Sequence, residues 1–483
     1  MDKVYKKVSI AIIIIATILQ VVCIFNNNIW FDESYTVGLV NHNIIDLIKI
    51  AIADVHPVLY YILLRIFSII FGNSIIILKL FSIIPIVLLA IFGYKSIGKE
   101  FGHKIAMLFI LILETLPMTL HYAVQIRMHS LAMLFVSISA FYAYKALKYL
   151  NWKDFVIFCI CSILSSYTHH FGFFACLTID LFMLIYILIK NKDLLKKYVI
   201  SVITQFILFI PGLLIFLKQA FSVSHGFWIE VKYPQIFFEM IEYLFKDNIQ
   251  SIIPFVFGLT FVLYVIYKLI TYKDKKDLSY KLSIISFGLI TFVIVVSLCI
   301  SSYRAIFIPR YMLPMLGIIV FGVTCLISLE KNKYILSILF TMIVTLNIWN
   351  YITFFNINYD VQNLEIQKLE DVRKDDIFVY KNIGVGGIID IYYNNNAQYF
   401  FNENGWKIHT AYKAFGSQMK VVDSIEQIVG SRIWVIDSNS NSMYDDIKKR
   451  NDMKEVITKK EIYHPYSGSI FIVSLFEQNI NLI

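Results

Sequence analysis

The stretch VSIAIIIIATILQVVCIF (Val8–Phe25), led by Lys3, Lys6 and Lys7 and followed by Asn26-Asn27-Asn28-Ile29-Trp30-Phe31-Asp32-Glu33-Ser34-Tyr35, decides the fold class. A membrane-crossing helix needs roughly 20 consecutive apolar residues, because its backbone N–H and C=O groups must be bonded within the helix once water is gone. Val8–Phe25 carries no charge and comes close to that length. The lysines before it resemble the start of a secretory leader, but no small-x-small cleavage site precedes Asn26, so an uncleaved anchor is expected.

The same rule applied outward finds further candidates near residues 75–94, 105–122, 129–149, 155–170, 172–190, 198–217, 251–271, 282–302, 311–329 and 334–354, about eleven in all. Composition agrees. Of the 483 residues 58% are apolar and only 16% charged, where soluble domains carry about 25% charge to solvate their surface. The formal net charge of +9 does not point to nucleic acid, because Lys and Arg are scattered in short clusters between apolar runs. Six cysteines lie in or beside apolar runs without metal-ligand spacing and read as packing residues.

Orientation follows from where the lysines fall. With a cytoplasmic N-terminus, the clusters Lys95/Lys99/Lys104, Lys145/Lys148/Lys153, Lys190/Lys192/Lys196/Lys197, Lys273/Lys275/Lys276 and Lys331/Lys333 all come to the inner side. This holds only if Pro57–Phe71 does not cross, so that run is expected to re-enter or lie on the surface. Outside are then residues 26–74, a loop from Gln219 to Gln250, and everything beyond about Phe355. The domain division expected is a transmembrane domain over 1–355, with a catalytic first outside loop at 26–74, and an extracytoplasmic α/β domain over 356–483. In that tail Ile377–Tyr380, Ile433–Ile436 and Ile470–Val473 read as strands, with polar helical stretches at Ser424–Val429 and Ser442–Arg450. Gly384-Val385-Gly386-Gly387 reads as a turn, because no strand–helix fingerprint completes a nucleotide loop.

The outer side collects unusual chemistry. Asp32 and Glu33 follow two aromatics suited to the membrane interface; alone they would be a solvated acidic turn. In Asp54-Val55-His56-Pro57-Val58-Leu59-Tyr60-Tyr61, Asp54 is placed as the N-cap and Pro57 in the first turn of a helix, with His56 at a positive dipole end that suits an anion. Arg127, in Gln125-Ile126-Arg127-Met128, is either a snorkelling interface residue or a phosphate clamp. His169 and His170 close the fifth span on the same side, and Arg304 with Pro309-Arg310-Tyr311 lies between the ninth and tenth. Glu114, costly in hydrocarbon, is expected to face the same cavity. An arginine can hold a lipid phosphate, and a carboxylate can take a proton from an incoming hydroxyl.

These residues, in this order, resemble the GT-C superfamily of membrane glycosyltransferases, in the branch of protein O-mannosyltransferases and lipid A aminoarabinose transferases. The resemblance covers about the first 330 residues. It rests on Trp30-Phe31-Asp32-Glu33, Asp54-x-His56-Pro57-x-Leu59-Tyr60-Tyr61, Gln125-x-Arg127-Met128, Tyr167-Thr168-His169 and Arg310-Tyr311 with Pro314. It implies inverting transfer of a sugar from a polyprenyl-phosphate donor to an acceptor hydroxyl on a protein, glycan or lipid. Asp32 would be catalytic with Glu33 in support, and His56, Tyr60, Gln125, Arg127, His169 and Arg310 would line the lipid-phosphate site. Gln125 and Val58 stand where many relatives carry a glutamate and a second proline. No cofactor is required by this reading, although some relatives bind a divalent metal.

Other classes fit these residues less well. A transporter or flippase of a lipid-linked or anionic compound would place ionisable groups at mid-membrane, where Glu114 is the one noted. A non-catalytic sensor or assembly subunit leaves Asp32-Glu33 unexplained, and a polysaccharide ligase would rely on a large late outside loop.

Overall fold

The computed structural model describes residues 2–223, 229–245, 252–402, 410–416, 419–438 and 442–479. The first helix, α1 (Asp2–Val22), is followed by three shorter ones, α2 (Phe31–Val40), α3 (Ile44–Ala53) and α4 (Leu59–Phe71). Next come α5 (Ile75–Phe92), α6 (Gly98–Phe101), α7 (His103–Thr115), α8 (Pro117–Ala123), α9 (His129–Tyr149), α10 (Trp152–Thr168) and α11 (His170–Lys190). Then follow α12 (Leu195–Val223), α13 (Gln235–Phe245), α14 (Ile252–Thr271), α15 (Leu278–Tyr303), α16 (Leu316–Ser328), α17 (Lys333–Asn358) and α18 (Asn363–Gln367). The chain divides into two compact units, one of residues 1–24, 55–60 and 79–354, the other of 25–54, 61–78 and 355–483.

The first unit is a helical bundle. By length and composition eight described helices can cross a membrane, or nine if α7 and α8, bent by 66° at Leu116–Pro117, count as one span. The chain is a multi-pass membrane protein. The two further runs expected at 155–170 and 251–271 fall on α10, which has 17 residues, and on α14, whose described apolar part is Gly258–Thr271. With 13 residues, α4 is about 20 Å long and too short for a crossing, as the lysine pattern requires.

Side-chain bonds show which helix ends meet. Lys145 near the end of α9 pairs with Asp154 at the start of α10 at 3.1 Å, and Lys148 pairs with Glu100 at 2.7 Å. Lys268 near the end of α14 pairs with Glu330 beyond α16 at 2.8 Å, and Lys104 donates to the Ser328 carbonyl. The lysine-bearing helix ends of this unit therefore lie together. Two carboxyls sit within its spans. Glu114 accepts a 2.7 Å bond from Gln20 of α1, and Asp180 of α11 accepts one from Gln205 of α12 at 3.3 Å. Glu114 is thereby accounted for by helix–helix packing, where a place in the outer cavity was expected.

The second unit is built on a six-stranded sheet in the order β3-β2-β1-β4-β6-β5. Its strands are β1 (Ile377–Tyr380), β2 (Ala397–Phe401), β3 (Lys420–Val422), β4 (Arg432–Ser438), β5 (Met453–His464) and β6 (Ser469–Gln478). Strands β1 to β4 pair in parallel and β4, β6 and β5 antiparallel. Helices α19 (Ile383–Tyr392) and α20 (Ser442–Lys448) cover the two faces. Phe378, Tyr380 and Trp434 pack with Val385, Ile388 and Ile389 of α19, while Val379, Ile433 and Val435 pack with Met443 and Ile447 of α20. Burial on both faces explains why β1 and β4 read as unbroken apolar runs.

Three local expectations are corrected. Residues 31–53, read as loop, form α2 and α3, and Asp54 closes α3 as its C-cap rather than opening α4. Pro57 then stands two residues before α4, so His56 lies in a connection and not in a first turn. Gly384-Val385-Gly386-Gly387 is helical, opened by Asn382, whose side chain accepts from the N–H groups of Gly384 and Val385. These glycines serve close packing. A Cβ on Gly384 would meet the Phe31 ring at 2.9 Å, and one on Gly387 would meet Ser34 Oγ at 2.5 Å. Of the polar stretch Ser424–Val429, only a short 3-10 turn at Ile425–Gln427 forms.

Burial raises the Asp390 carboxyl of α19 to about 6. An Asp that ionises near 3.8 in the unfolded chain and near 6 in the folded one costs the fold stability as pH rises between those values, and the full cost persists above them. Asp390→Asn is therefore expected to raise the thermal unfolding midpoint at pH 7.5. The gain should fade as pH falls toward 4; a gain equal at both pH values would contradict this account.

Candidate functional site

In the second unit, Trp30 precedes the first turn of α2, which carries both acidic residues of the first loop. Their side chains differ in burial. Glu33 is wholly buried: its Oε2 accepts from the Trp30 N–H at 3.3 Å and from the Tyr466 hydroxyl at 2.9 Å. Burial, and next the Glu33 carboxylate, hold the Tyr466 hydroxyl well above the usual phenol range, so it stays a donor. Asp32 is half-buried on the same turn. The neighbouring backbone is tied down as well, since the Tyr392 hydroxyl donates to the Asn27 carbonyl at 3.1 Å and accepts from the Ile29 N–H at 3.2 Å. The structure thus makes Glu33 a structural anchor for α2 and leaves Asp32 as the more accessible carboxyl. Tyr466→Phe takes a donor from a buried carboxylate oxygen that then keeps the Trp30 N–H, and is expected to cost roughly 1–3 kcal/mol, read as a lower unfolding midpoint. An unchanged midpoint would remove the anchoring role.

In the first unit, cationic and imidazole side chains come together at helix ends opposite the lysine-bearing ones. His129 opens α9 and His169 caps α11, with ring centroids 5.2 Å apart. The side chains of His56, Arg127 and Arg310 lie close enough to act electrostatically on both rings. His169 Nδ1 accepts from the Phe171 N–H at 3.0 Å, so in the neutral ring Nε2 carries the proton and is available as a donor. Arg127 is 4% exposed and sits in the tight connection between α8 and α9, where its own N–H donates to the Gln125 carbonyl. Gln125 Nε2 donates to His121 Nε2 at 2.7 Å. His56 is fixed by its backbone, because His170 bonds the Val55 carbonyl at 3.0 Å and Gln219 the His56 carbonyl at 3.4 Å. Tyr60 is wholly buried with its hydroxyl 3.2 Å from Ser82 Oγ. Tyr311, next to Arg310, stacks on Phe171 and meets the His169 ring edge-on.

The structure therefore brings His56, Arg127, His169 and Arg310 together within one unit, with Gln125 two residues before Arg127 in the same connection. Asp32 and Glu33 belong to the other unit. Sequence reading passed over three residues. His129, two residues after Arg127, sits at the centre of the cluster. Tyr122 accepts a 2.6 Å bond from Tyr243 of α13, and the charge of Arg310 acts on that pair. Lys79, wholly buried one turn before Ser82, was hidden in an apolar run, although a lysine inside such a run is itself a signal. Among the described residues no three His, Cys, Asp or Glu side chains are grouped as a metal-ligand set, and no role is assigned to a metal.

A buried arginine and a half-buried one, with an Nε2–H imidazole, can hold a phosphate group. Comparison with known proteins gives a family model that matches one segment, and a shared fold. Residues 55–215 match the model of the dolichyl-phosphate-mannose-protein mannosyltransferase family, a segment that includes His56, Tyr60, Gln125, Arg127 and His169. No curated protein sequence matches the chain. Two solved structures of ArnT from Cupriavidus metallidurans share its fold. The apo form matches with a TM-score of 0.58 at 9% identity, and the form bound to undecaprenyl phosphate with 0.56 at 10%; each comparison covers 96% of this chain and 97% of that one. The resemblance read from the motifs is borne out: residues 55–215 match the protein-mannosyltransferase family model, and the chain shares the fold of ArnT along nearly its whole length.

Proposed function

We propose that this protein transfers a sugar from a polyprenyl-phosphate donor to an acceptor hydroxyl at the outer face of the membrane, with inversion at the anomeric carbon. The observation that carries the reading is the cluster of Arg127, Arg310, His56, His129 and His169 at one set of helix ends. The undecaprenyl phosphate bound by ArnT supports a ligand of that chemistry. In the reaction the acceptor oxygen bonds to the anomeric carbon as the bond from that carbon to the phosphate oxygen breaks. Arg127 and Arg310 stabilise the phosphate that leaves, and His169 Nε2–H adds a donor. Asp32 takes the acceptor proton. Because the leaving group is a stabilised anion, a single displacement suffices and inversion follows.

The donor class is tested with purified protein in vesicles, given either a radiolabelled polyprenyl-phosphate hexose or pentose or the matching nucleotide sugar. Turnover of a lipid-linked donor alone is expected. Turnover of the nucleotide sugar alone would overturn the proposal. Passage of intact lipid-linked donor across the bilayer, without cleavage, would favour a flippase instead.

A further inference from the structure

The first unit contains a second feature that the transfer reaction does not use. A cavity of about 350 Å³ lies between α5, α7, α9, α11, α15 and α16. Phe92, Phe109, Phe141, Phe182 and Phe321 supply much of its wall. Its floor is closed by buried groups such as Met183 and Leu289, whereas Ile185, Tyr186 and Ile189 of α11 and Ile285 of α15 are exposed along its rim. Rim residues that are both apolar and exposed in a membrane helix face lipid, so the cavity opens sideways toward the bilayer between α11 and α15.

Its polar lining is sparse. Ser137 donates to the Met133 carbonyl within its own helix at 2.7 Å, and the remaining polar groups include Ser286 and Lys190. Lys190 is the last residue of α11, exposed at the rim, and Lys192, Lys196 and Lys197 follow closely. The cavity therefore occupies the lysine-bearing half of the bundle. The His129–His169 cluster lies at the other ends of α9 and α11, and α9 alone, with 21 residues, is about 31 Å long.

We propose that this cavity is a binding site for an anionic phospholipid of the leaflet on the lysine side, with an acyl chain in the aromatic-walled cavity and its phosphate on Lys190. A dry apolar cavity open to hydrocarbon is filled by an apolar chain, and a cation at its mouth selects the headgroup attached to that chain. The occupant is distinct from the sugar donor, whose phosphate belongs to the opposite helix ends.

The test uses the full-length protein in nanodiscs that contain phosphatidylcholine and a diazirine-tagged phosphatidylglycerol. Crosslinks to α11 and α15 peptides are expected. Lys190→Glu, an exposed substitution that does not threaten folding, is expected to lower crosslinking of phosphatidylglycerol roughly fivefold and leave that of tagged phosphatidylcholine unchanged. Ala140→Phe, which fills the cavity, should abolish both if the variant unfolds at the wild-type temperature. The proposal is overturned if crosslinks fall outside α11 and α15, if Lys190→Glu leaves phosphatidylglycerol labelling intact, or if polyprenyl phosphate displaces the label while excess phosphatidylglycerol does not.

Discussion

Replacing Asp32 with asparagine is expected to reduce sugar transfer by about 10²–10⁴-fold, the usual contribution of a positioned general base, while donor affinity stays within about twofold of wild type. Two observations make the prediction specific. Glu33 already has its carboxylate engaged by the Trp30 N–H and the Tyr466 hydroxyl in a wholly buried place, so it serves the architecture of α2. Asp32, one residue earlier and half-buried, keeps the same backbone when only one oxygen is exchanged for an amide. The variant should unfold at the wild-type temperature. Initial rates at saturating donor, set beside binding of polyprenyl phosphate, separate the two effects. A variant that turns over at the wild-type rate would take Asp32 out of the chemistry.

Removing the guanidinium of Arg127 is expected to act on the other side of the reaction. A buried charge that pairs with a buried partner is worth several kcal/mol to that pairing when one side is truncated, so Arg127→Ala should weaken polyprenyl-phosphate binding by roughly 10²-fold or more. Arg127→Lys should recover part of this loss, because a lysine restores the charge but not the planar two-pronged geometry. Arg310 is less buried, and its alanine variant is expected to show a smaller loss. The measurement is a ligand-induced thermal shift with polyprenyl phosphate across a concentration series. Equal affinity in wild type and Arg127→Ala would contradict the phosphate assignment.

Much of this architecture was legible because apolar length is a strong signal. The described parts of the expected crossings are helical, that at 105–122 as the bent pair α7 and α8, and the short run Pro57–Phe71 holds a helix too short to cross. The strands β1, β4 and β6 were visible as compact β-branched and aromatic runs. The edge strand β5 was not, because in MKEVITKKEIYH the runs Lys454-Glu455 and Lys459-Lys460-Glu461 break the alternation that marks a half-buried strand, and its register against β6 shifts between Glu455 and Lys460. Helix α2 was missed because its sequence, FDESYTVGLV, has weak helical periodicity and eight of its ten residues are buried. The glycines of α19 were misread for a related reason. Sequence shows that a glycine has no side chain, but not whether a neighbouring helix needs that space.

The candidate site shows the same boundary. Arginines and histidines against the charge trend at helix ends were identifiable one by one, since their placement is costly without a partner. That His129 sits among them was not, because its role depends on where the start of α9 meets that of α11. In the sequence only the family resemblance separates Asp32 from Glu33, whereas in the structure the burial of Glu33 and its bonds from Trp30 and Tyr466 set the two apart. Glu114 was legible as an intramembrane charge and Asp180 was passed over; each is met by a glutamine from a neighbouring helix.

The most direct test of sugar transfer is a ³¹P NMR time course of a polyprenyl-phosphate hexose incubated with the wild-type protein in vesicles, together with acceptor-containing membrane extract. Cleavage of the sugar–phosphate bond is predicted to convert the phosphodiester signal into a phosphomonoester signal, with Asp32→Asn showing almost none of that conversion. A phosphodiester signal unchanged across hexose and pentose donors, in protein that binds them, would contradict glycosyl transfer as the function of this chain.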